Sequence, residues 1–270
     1  MSFFTSLSGM RNAETDLRVI SNNIANAETA GFKKSNAQFA DLIATGGSND
    51  PRVTPGIGAA VSSISQDFGL GQLEQTGRVL DIAINGDGFL ATANPISGDI
   101  TFTRNGNLQL VASGELQTAF GDLVQAFPVD ATGAPTSTTP ANVVVPTVNG
   151  GGASITSVSI DAQGLVSATY ADGSNEPVAL ISLASFASNG GLRPIGQTKW
   201  EVTADSGNPV YGQPGLGNLG QIFGGALERS NVDLAEEMVS LLTAQRNFQA
   251  NARAIDTATA LSQTVLNLQR

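Results

Sequence analysis

The chain has no cysteine and no histidine among its 270 residues. Zinc sites built from those ligands, cysteine nucleophiles and histidine-based triads are therefore excluded. Basic residues are scarce, 13 against 23 acidic ones, and the net charge is −10. Only Lys33 and Lys34 are adjacent, and the one remaining lysine is Lys199. Nucleic-acid binding needs clustered cations against phosphate, so it is set aside. Charged residues of both signs make up 13% of the chain, about half the usual share.

Long apolar runs are missing too. Nothing approaches the roughly 18 consecutive apolar residues of a membrane span, so no membrane insertion is expected. The first 19 residues carry Arg11, Glu14, Asp16 and Arg18 where the apolar core of a cleaved secretory signal would sit. A protein of this kind working outside the cell needs a dedicated export machine. No long internal repeat is visible.

What is present suffices for a core: 41% of residues are hydrophobic, enough for one large domain or two small ones. The two ends read as helices. Leu7, Met10, Ala13, Leu17, Ile20, Ile24 and Ala27 recur at spacings of three and four, one apolar stripe. Gly31 follows, suited to ending a helix in the left-handed conformation. Near the other end, Leu234, Met238, Leu241, Gln245, Phe248, Ala252, Ile255, Ala258, Leu261, Val265 and Leu268 form a second, drifting stripe. Asp233, Glu236 and Glu237 fall at its start, where the helix dipole favours acids. The run from 233 to 269 holds no proline or glycine, and that length suggests a coiled coil or bundle element.

Between the ends the period changes to two. Leu80, Ile82 and Ile84 alternate before Asn85-Gly86-Asp87-Gly88. Thr101–Thr103, Asn105-Gly106 and Leu108–Leu110 predict a hairpin, and Ser113-Gly114 another turn. Val158 and Ile160 precede a turn at 161–164, Val166–Tyr170 a turn at Asp172-Gly173, and Val178–Phe186 reads as one long strand. Short strands with glycine turns predict an antiparallel β-domain. Residues 45–58 and 130–153 read as linkers or insertion points, with Val143-Val144-Val145 a strand candidate in the second.

Two motifs invite a catalytic or ligand-binding reading. Gly215-Leu216-Gly217-Asn218-Leu219-Gly220 spells G-x-G-x-x-G, but no helix pattern opens at its end, and a flexible loop is the simpler reading. Glu236 and Glu237 point about 100° apart on a helix, and Asp87 and Asp99 sit at turns where aspartate is common. Neither pair stands out as an acid–base couple. No catalytic residue, metal ligand or cofactor is expected.

The segment Ser21-Asn22-Asn23-Ile24-Ala25-Asn26-Ala27-Glu28-Thr29-Ala30-Gly31-Phe32-Lys33 resembles the N-terminal signature of bacterial flagellar rod and hook proteins. Gly225–Leu234, which includes Ser230 and Asn231, resembles the second signature of that family, and Ala244–Gln249 its helical continuation. Leu80–Ile84, Gly88-Phe89 and Phe102–Gly106 are similar to its β-domain; Leu183–Phe186, Gly191-Leu192, Trp200 and Ser206-Gly207 are similar to a later part. Ile64–Phe68 and Gly225–Glu228 resemble the hook protein more than the distal rod protein. In one respect the chain departs from hook proteins. They carry an additional outer β-domain, where only residues 130–153 stand here.

The resemblance implies an α+β fold: an antiparallel β-rich outer domain, with N- and C-terminal helices paired as a coiled-coil inner domain. Residues 1–28 with 234–270 would form the inner domain, 29–70 with 222–233 a connecting segment, and 71–221 the outer domain. It implies self-assembly into a helical tube, with rod, hook–filament junction and hook cap proteins as partners. The expected packing stripe is Leu7, Met10, Leu17, Ile20, Ile24, Leu241, Phe248, Ile255, Val265 and Leu268. Asn22, Asn23 and Asn26 are candidates for polar contacts that fix register. The hook is the expected identity and the basal-body rod the alternative. Two further classes are a secreted β-rich binding module with a helical stalk, which predicts closed oligomers, and an acidic-pair hydrolase.

Overall fold

The computed structural model describes residues 2–43 and 56–268, without the side chains of Ser2, Val265, Leu266 and Leu268. The linker read at 45–58 lies outside the described residues up to 55. The chain divides into two compact units: Met1–Ala27, Lys34–Asp67 and Val232–Arg270 form the first, Glu28–Lys33 and Phe68–Asn231 the second.

The first unit holds both helices, α1 (Ser2–Ala25) and α2 (Leu234–Leu268), and a hairpin of β1 (Ser35–Ile43) with β2 (Gly56–Gln66). The stripe read from the sequence helps α1 pack, with Ala13 and Ile20 buried along it, and Val19, outside that stripe, is buried as well. Its last turn closes when Asn26 N–H donates to the carbonyls of Asn22 and Asn23, and Asn26 Nδ2 donates to Asn22 O at 2.9 Å. The helix thus ends six residues before Gly31, which is left-handed at φ 70°. Asp233 caps α2 through Oδ1, which accepts the N–H groups of Ala235 and Glu236. The helices run antiparallel, since Gly9 meets Asn251 and Asn23 meets Glu237. The hairpin pairs Ser35 with Gln66 and Ile43 with Gly56, and shifts register after Gln38 and Leu42.

The second unit is an antiparallel β-structure. Its long sheet runs, neighbour to neighbour, Ile155–Ile160, Leu165–Tyr170, Asn175–Ile181, Leu123–Pro128, Phe89–Ala93, Ile100–Thr103, Lys199–Glu201 and Arg193–Gly196. Phe89–Ala93 is buried on both faces, so it lies between two cores. One core is aliphatic, with Ile84, Leu90, Leu108, Leu116, Val166 and Ile181. The other is aromatic: Phe68, Phe89 and Phe186 or Trp200 meet edge to face at 5.5–5.6 Å.

Three local expectations are corrected. Ile100–Thr103 and Leu108–Leu110 do not pair with each other: the first lies between Phe89–Ala93 and Lys199–Glu201, and the second pairs with Leu116–Thr118 across Ser113-Gly114. Asn105-Gly106 instead carries the chain past Ile82. Gly106 O accepts the Ile82 N–H at 2.9 Å, and a Cβ at Gly106 would overlap the Ile82 carbonyl. Residues 141–145 are no linker, because Ala141–Asn142 pairs with Gln125–Ala126 and Val143 and Val145 are buried in the aliphatic core. The strand read over 178–186 is broken at Ser182, whose N–H and Oγ both donate to Gln125 O. The glycine-rich stretch at 215–220 opens no helix. Its Gly215 N–H closes a turn on Gly220 O between strands Val210–Gly212 and Gln221–Gly224.

Candidate assembly surfaces

The signature residues converge inside the second unit. Gly31 donates its N–H to Glu228 O at 2.8 Å, and a Cβ there would come within 2.6 Å of Asn105 N. A left-handed φ and this contact together require glycine. Phe32 beside it is half-buried. Lys33 is 0% exposed. Its Nζ meets Glu228 Oε1 at 2.6 Å and donates to Gly69 O at 2.8 Å. Glu228 Oε1 also accepts the Gly71 N–H at 2.9 Å, and Arg104 Nη1 approaches Oε2 at 3.5 Å. Arg104 stands over the Phe89 ring at 5.1 Å, and burial pulls its guanidinium below the usual arginine value against the opposing charges of Glu228 and Asp87. Ser230 is buried, and Asn231 Nδ2 donates to Gly69 O at 3.3 Å. The two segments Leu73–Gln75 and Ala226–Glu228 pair antiparallel alongside. Both signatures therefore hold a buried charge cluster where three stretches of chain run together.

In the first unit, Glu237 is buried at the start of α2 and faces Lys34 and Asn23. Lys34 Nζ lies 2.9 Å from Glu237 and 3.3 Å from Glu236. Burial pulls the Lys34 ammonium down, but the bonds and charges of Glu237 and Glu236 outweigh it and hold it above the ordinary lysine value. Asn23 Nδ2 donates to Glu237 Oε2 at 3.2 Å and to Ser35 O at 2.9 Å, while the Ser35 N–H donates to Asn23 Oδ1 at 2.9 Å. Burial and then Glu237 push the nearby Asp16 carboxyl up.

The expected packing residues divide. Ile20 is buried, while Leu7, Met10, Leu17, Ile24, Leu241, Phe248 and Ile255 are half-buried. Among the asparagines, Asn23 is buried, Asn26 closes its own helix and Asn22 is exposed. The side chains of Val265 and Leu268 lie outside the described residues. Another apolar face of α2 lies open: Leu234, Met238, Val239 and Leu242, with Met238 55% and Val239 65% exposed. The hairpin exposes Phe39, Leu42, Ile43, Ile57, Val61 and Ile64, and α1 exposes Phe4 at 71%. A groove of about 380 Å³ runs between α1 and the hairpin, lined by Phe4, Leu7, Arg11, Thr15, Leu42 and Val61 among others. Open apolar area on this scale marks an interaction surface.

Sequence reasoning missed Glu228, Arg104, Glu237 and Lys34. The available signal was charge in a chain with little of it, with Glu228 and Arg104 inside the resembling segments and Lys34 and Glu237 just beyond them.

In the second unit a groove of about 600 Å³ is lined by Phe127, Thr136, Ser137, Tyr211, Gln213 and Leu216. It offers neither a carboxylate pair nor a metal-ligand set. Among the described residues no group of three acidic, cysteine or histidine side chains forms a metal cluster, and no helix is long and apolar enough to cross a membrane.

Three family profiles match along the chain. The one described as "Flagella basal body rod protein" covers residues 4–33, "Flagellar hook protein FlgE/F/G D1 domain" covers 83–168, and "Flagellar basal body rod FlgEFG protein C-terminal" covers 224–268. The flagellar basal-body rod protein FlgG of Bacillus subtilis is 34% identical over 100% of this chain and 99% of its own length. FlgG of Caulobacter vibrioides is 33% identical over 98% of each. The flagellar hook protein FlgE of Salmonella typhimurium is 26% identical over the full length of both. These are structural proteins rather than enzymes. With full-length similarity above 30% and all three profiles in order, the chain belongs to the flagellar rod and hook protein family.

Proposed function

We propose that this chain builds the hook, polymerising into a tube that transmits motor torque to the filament as a universal joint. As a family member it is a structural subunit of the flagellar axis. The observation that supports assembly is the open apolar surface of the first unit. Among the described residues, Phe4, Met238, Val239 and Leu242 each leave more than half of their surface open. A patch on one copy meeting a different patch on the next, without closure, grows a helical tube.

In this reading the terminal helices act as a coiled-coil inner layer, residues 29–70 with 222–233 connect, and 71–221 face outward. Leu7, Met10, Leu17, Ile20, Ile24, Leu241, Phe248, Ile255, Val265 and Leu268 form the packing seam of the tube, with Asn22, Asn23 and Asn26 as its polar contacts. Packed helices compress little, which suits torque transfer. Rod, junction and cap proteins are the expected neighbours.

The hook is preferred on Ile64–Phe68 and Gly225–Glu228, which resemble the hook protein. The rod is the second reading, favoured by a near-collinear match to FlgG, whereas the hook relative aligns over 411 positions. Electron microscopy of the purified chain separates them: curved tubes support the hook, straight tubes the rod, and closed rings or monomers overturn assembly. A deletion strain that keeps its rod and loses its hook would identify the hook in the cell, and loss of the rod itself would identify the rod.

A further inference from the structure

The α1–α2 pair meets at two marked points, a close steric contact of Gly9 with Asn251 and a hydrogen bond of Asn23 to Glu237. At one end, Gly9 sits mid-helix with an ordinary helical backbone, where glycine is the weakest common choice. Its reason is spatial: a Cβ at Gly9 would lie 2.6 Å from Asn251 Oδ1 and 2.9 Å from its Cγ. The Asn251 amide therefore rests on the bare backbone of Gly9, while its Nδ2 donates to Asn247 O at 2.9 Å. At the other end, buried Asn23 donates to buried Glu237, and Lys34 balances that carboxylate.

These contacts have matched spacing: Gly9 to Asn23 and Glu237 to Asn251 are each 14 residues. Fourteen residues make close to four helical turns, so both contacts stay on the facing sides of α1 and α2. Slipping α2 by one turn sets Asn251 against a side chain instead of Gly9 and separates Glu237 from Asn23. A buried carboxylate and a buried amide would then lose partners together.

We propose that Gly9–Asn251 and Asn23–Glu237 are a two-point lock on the register of α1 against α2, and that this lock sets how far the α2 tip reaches beyond the start of α1. In the observed register Ser2 is level with Ala258, so α2 runs on for about ten residues, ~15 Å at the helical rise. Leu261 on that extension is exposed. The second half of the inference rests on the assembly reading, in which a neighbouring copy receives the tip; the first half does not.

The chain has no native cysteine, so thiols placed at exposed Arg11 and Gln249, level with each other in this register, are the only labelling sites. Pulsed electron paramagnetic resonance between two spin labels reads the register within one chain, both free and in tubes diluted with unlabelled chain. The parent chain gives one narrow distance. Asn251→Ala and Gly9→Ala each add a second population displaced by one turn, ~5.4 Å along the axis. Alanine is the strongest helix former, so lost helix does not stand in for lost register. The parent distance alone in either variant overturns the lock. Absence of tubes counts against the assembly reading and leaves this intrachain measurement intact.

Discussion

Consider replacing Glu228 by glutamine. The carboxylate is buried, with Lys33 Nζ at 2.6 Å, the Gly71 N–H at 2.9 Å and Arg104 Nη1 at 3.5 Å. Glutamine keeps the shape and removes the charge, leaving two buried cations without their shared counter-ion. Breaking a buried pair by removing one partner costs about 3–5 kcal/mol, and the upper end applies because two cations are stranded. Lys33→Met is milder, about 3 kcal/mol, since Glu228 retains Arg104 and the Gly71 N–H. Trp200 is the sole tryptophan and stacks edge to face with Phe89, over which Arg104 stands. Its fluorescence in a urea titration therefore reports on the unit that holds the cluster. With a slope of about 2 kcal/mol per molar urea, Glu228→Gln lowers the midpoint by ~2 M and Lys33→Met by less. The reasoning is refuted if Lys33→Met is the more damaging of the two, or if both cost under ~1 kcal/mol.

Thr198 and Gln197 both have φ 55°, and a β-branched residue there is strained. Thr198→Gly should stabilise by about 1–2 kcal/mol, read by the same titration, and an unchanged or lower midpoint contradicts it. Met238→Glu and Leu242→Glu alter exposed positions, so the melting temperature should hold while tubes fail to form in electron micrographs. Normal tubes from both would remove that face from the interface. Carboxyl NMR titration should find Asp130 and Asp172 below 3.8, held down by the hydroxyl and backbone donors of Thr132 and Ser174, and Asp16 above 3.8. The signs oppose: acidification relieves the burial cost of Asp16 as pH falls through its raised value, and removes what Asp130 and Asp172 contribute once pH falls through their depressed ones. A depressed Asp16 breaks that account. The Lys34 contribution persists below 10.5 and is lost as pH rises through its raised folded value, so Lys34→Met should flatten alkaline unfolding measured by circular dichroism.

Both helices were legible because a stripe at spacings of three and four needs no partner to be seen. The turns at Ser113-Gly114, 161–164 and Asp172-Gly173 were legible for the same local reason. Where tertiary contact overrides a local signal, the reading fails. Asn105-Gly106 looks like a hairpin turn, yet its glycine is there to let Ile82 approach. β1 and β2 were not read at all, because most of their residues are exposed and show no alternation. Ser182 divides a strand for the sake of a bond to Gln125, 57 positions earlier. The charge cluster was out of reach for that reason too. Lys33 and Glu228 are 195 residues apart, and only folding shows that the two signatures recognise each other.

Around Glu228 the polypeptide departs and returns by neighbouring routes: residues 28–33, 68–75 and 226–231 lie side by side. The β-rich portion is thus a cassette inserted in the chain, its borders held by the Glu228 carboxylate together with backbone pairing of 73–75 with 226–228 and the Gly31 bond to Glu228 O. The turn at Asp130–Ala134, closed by Asp130 Oδ1 accepting the Ala134 N–H, takes no part in those borders.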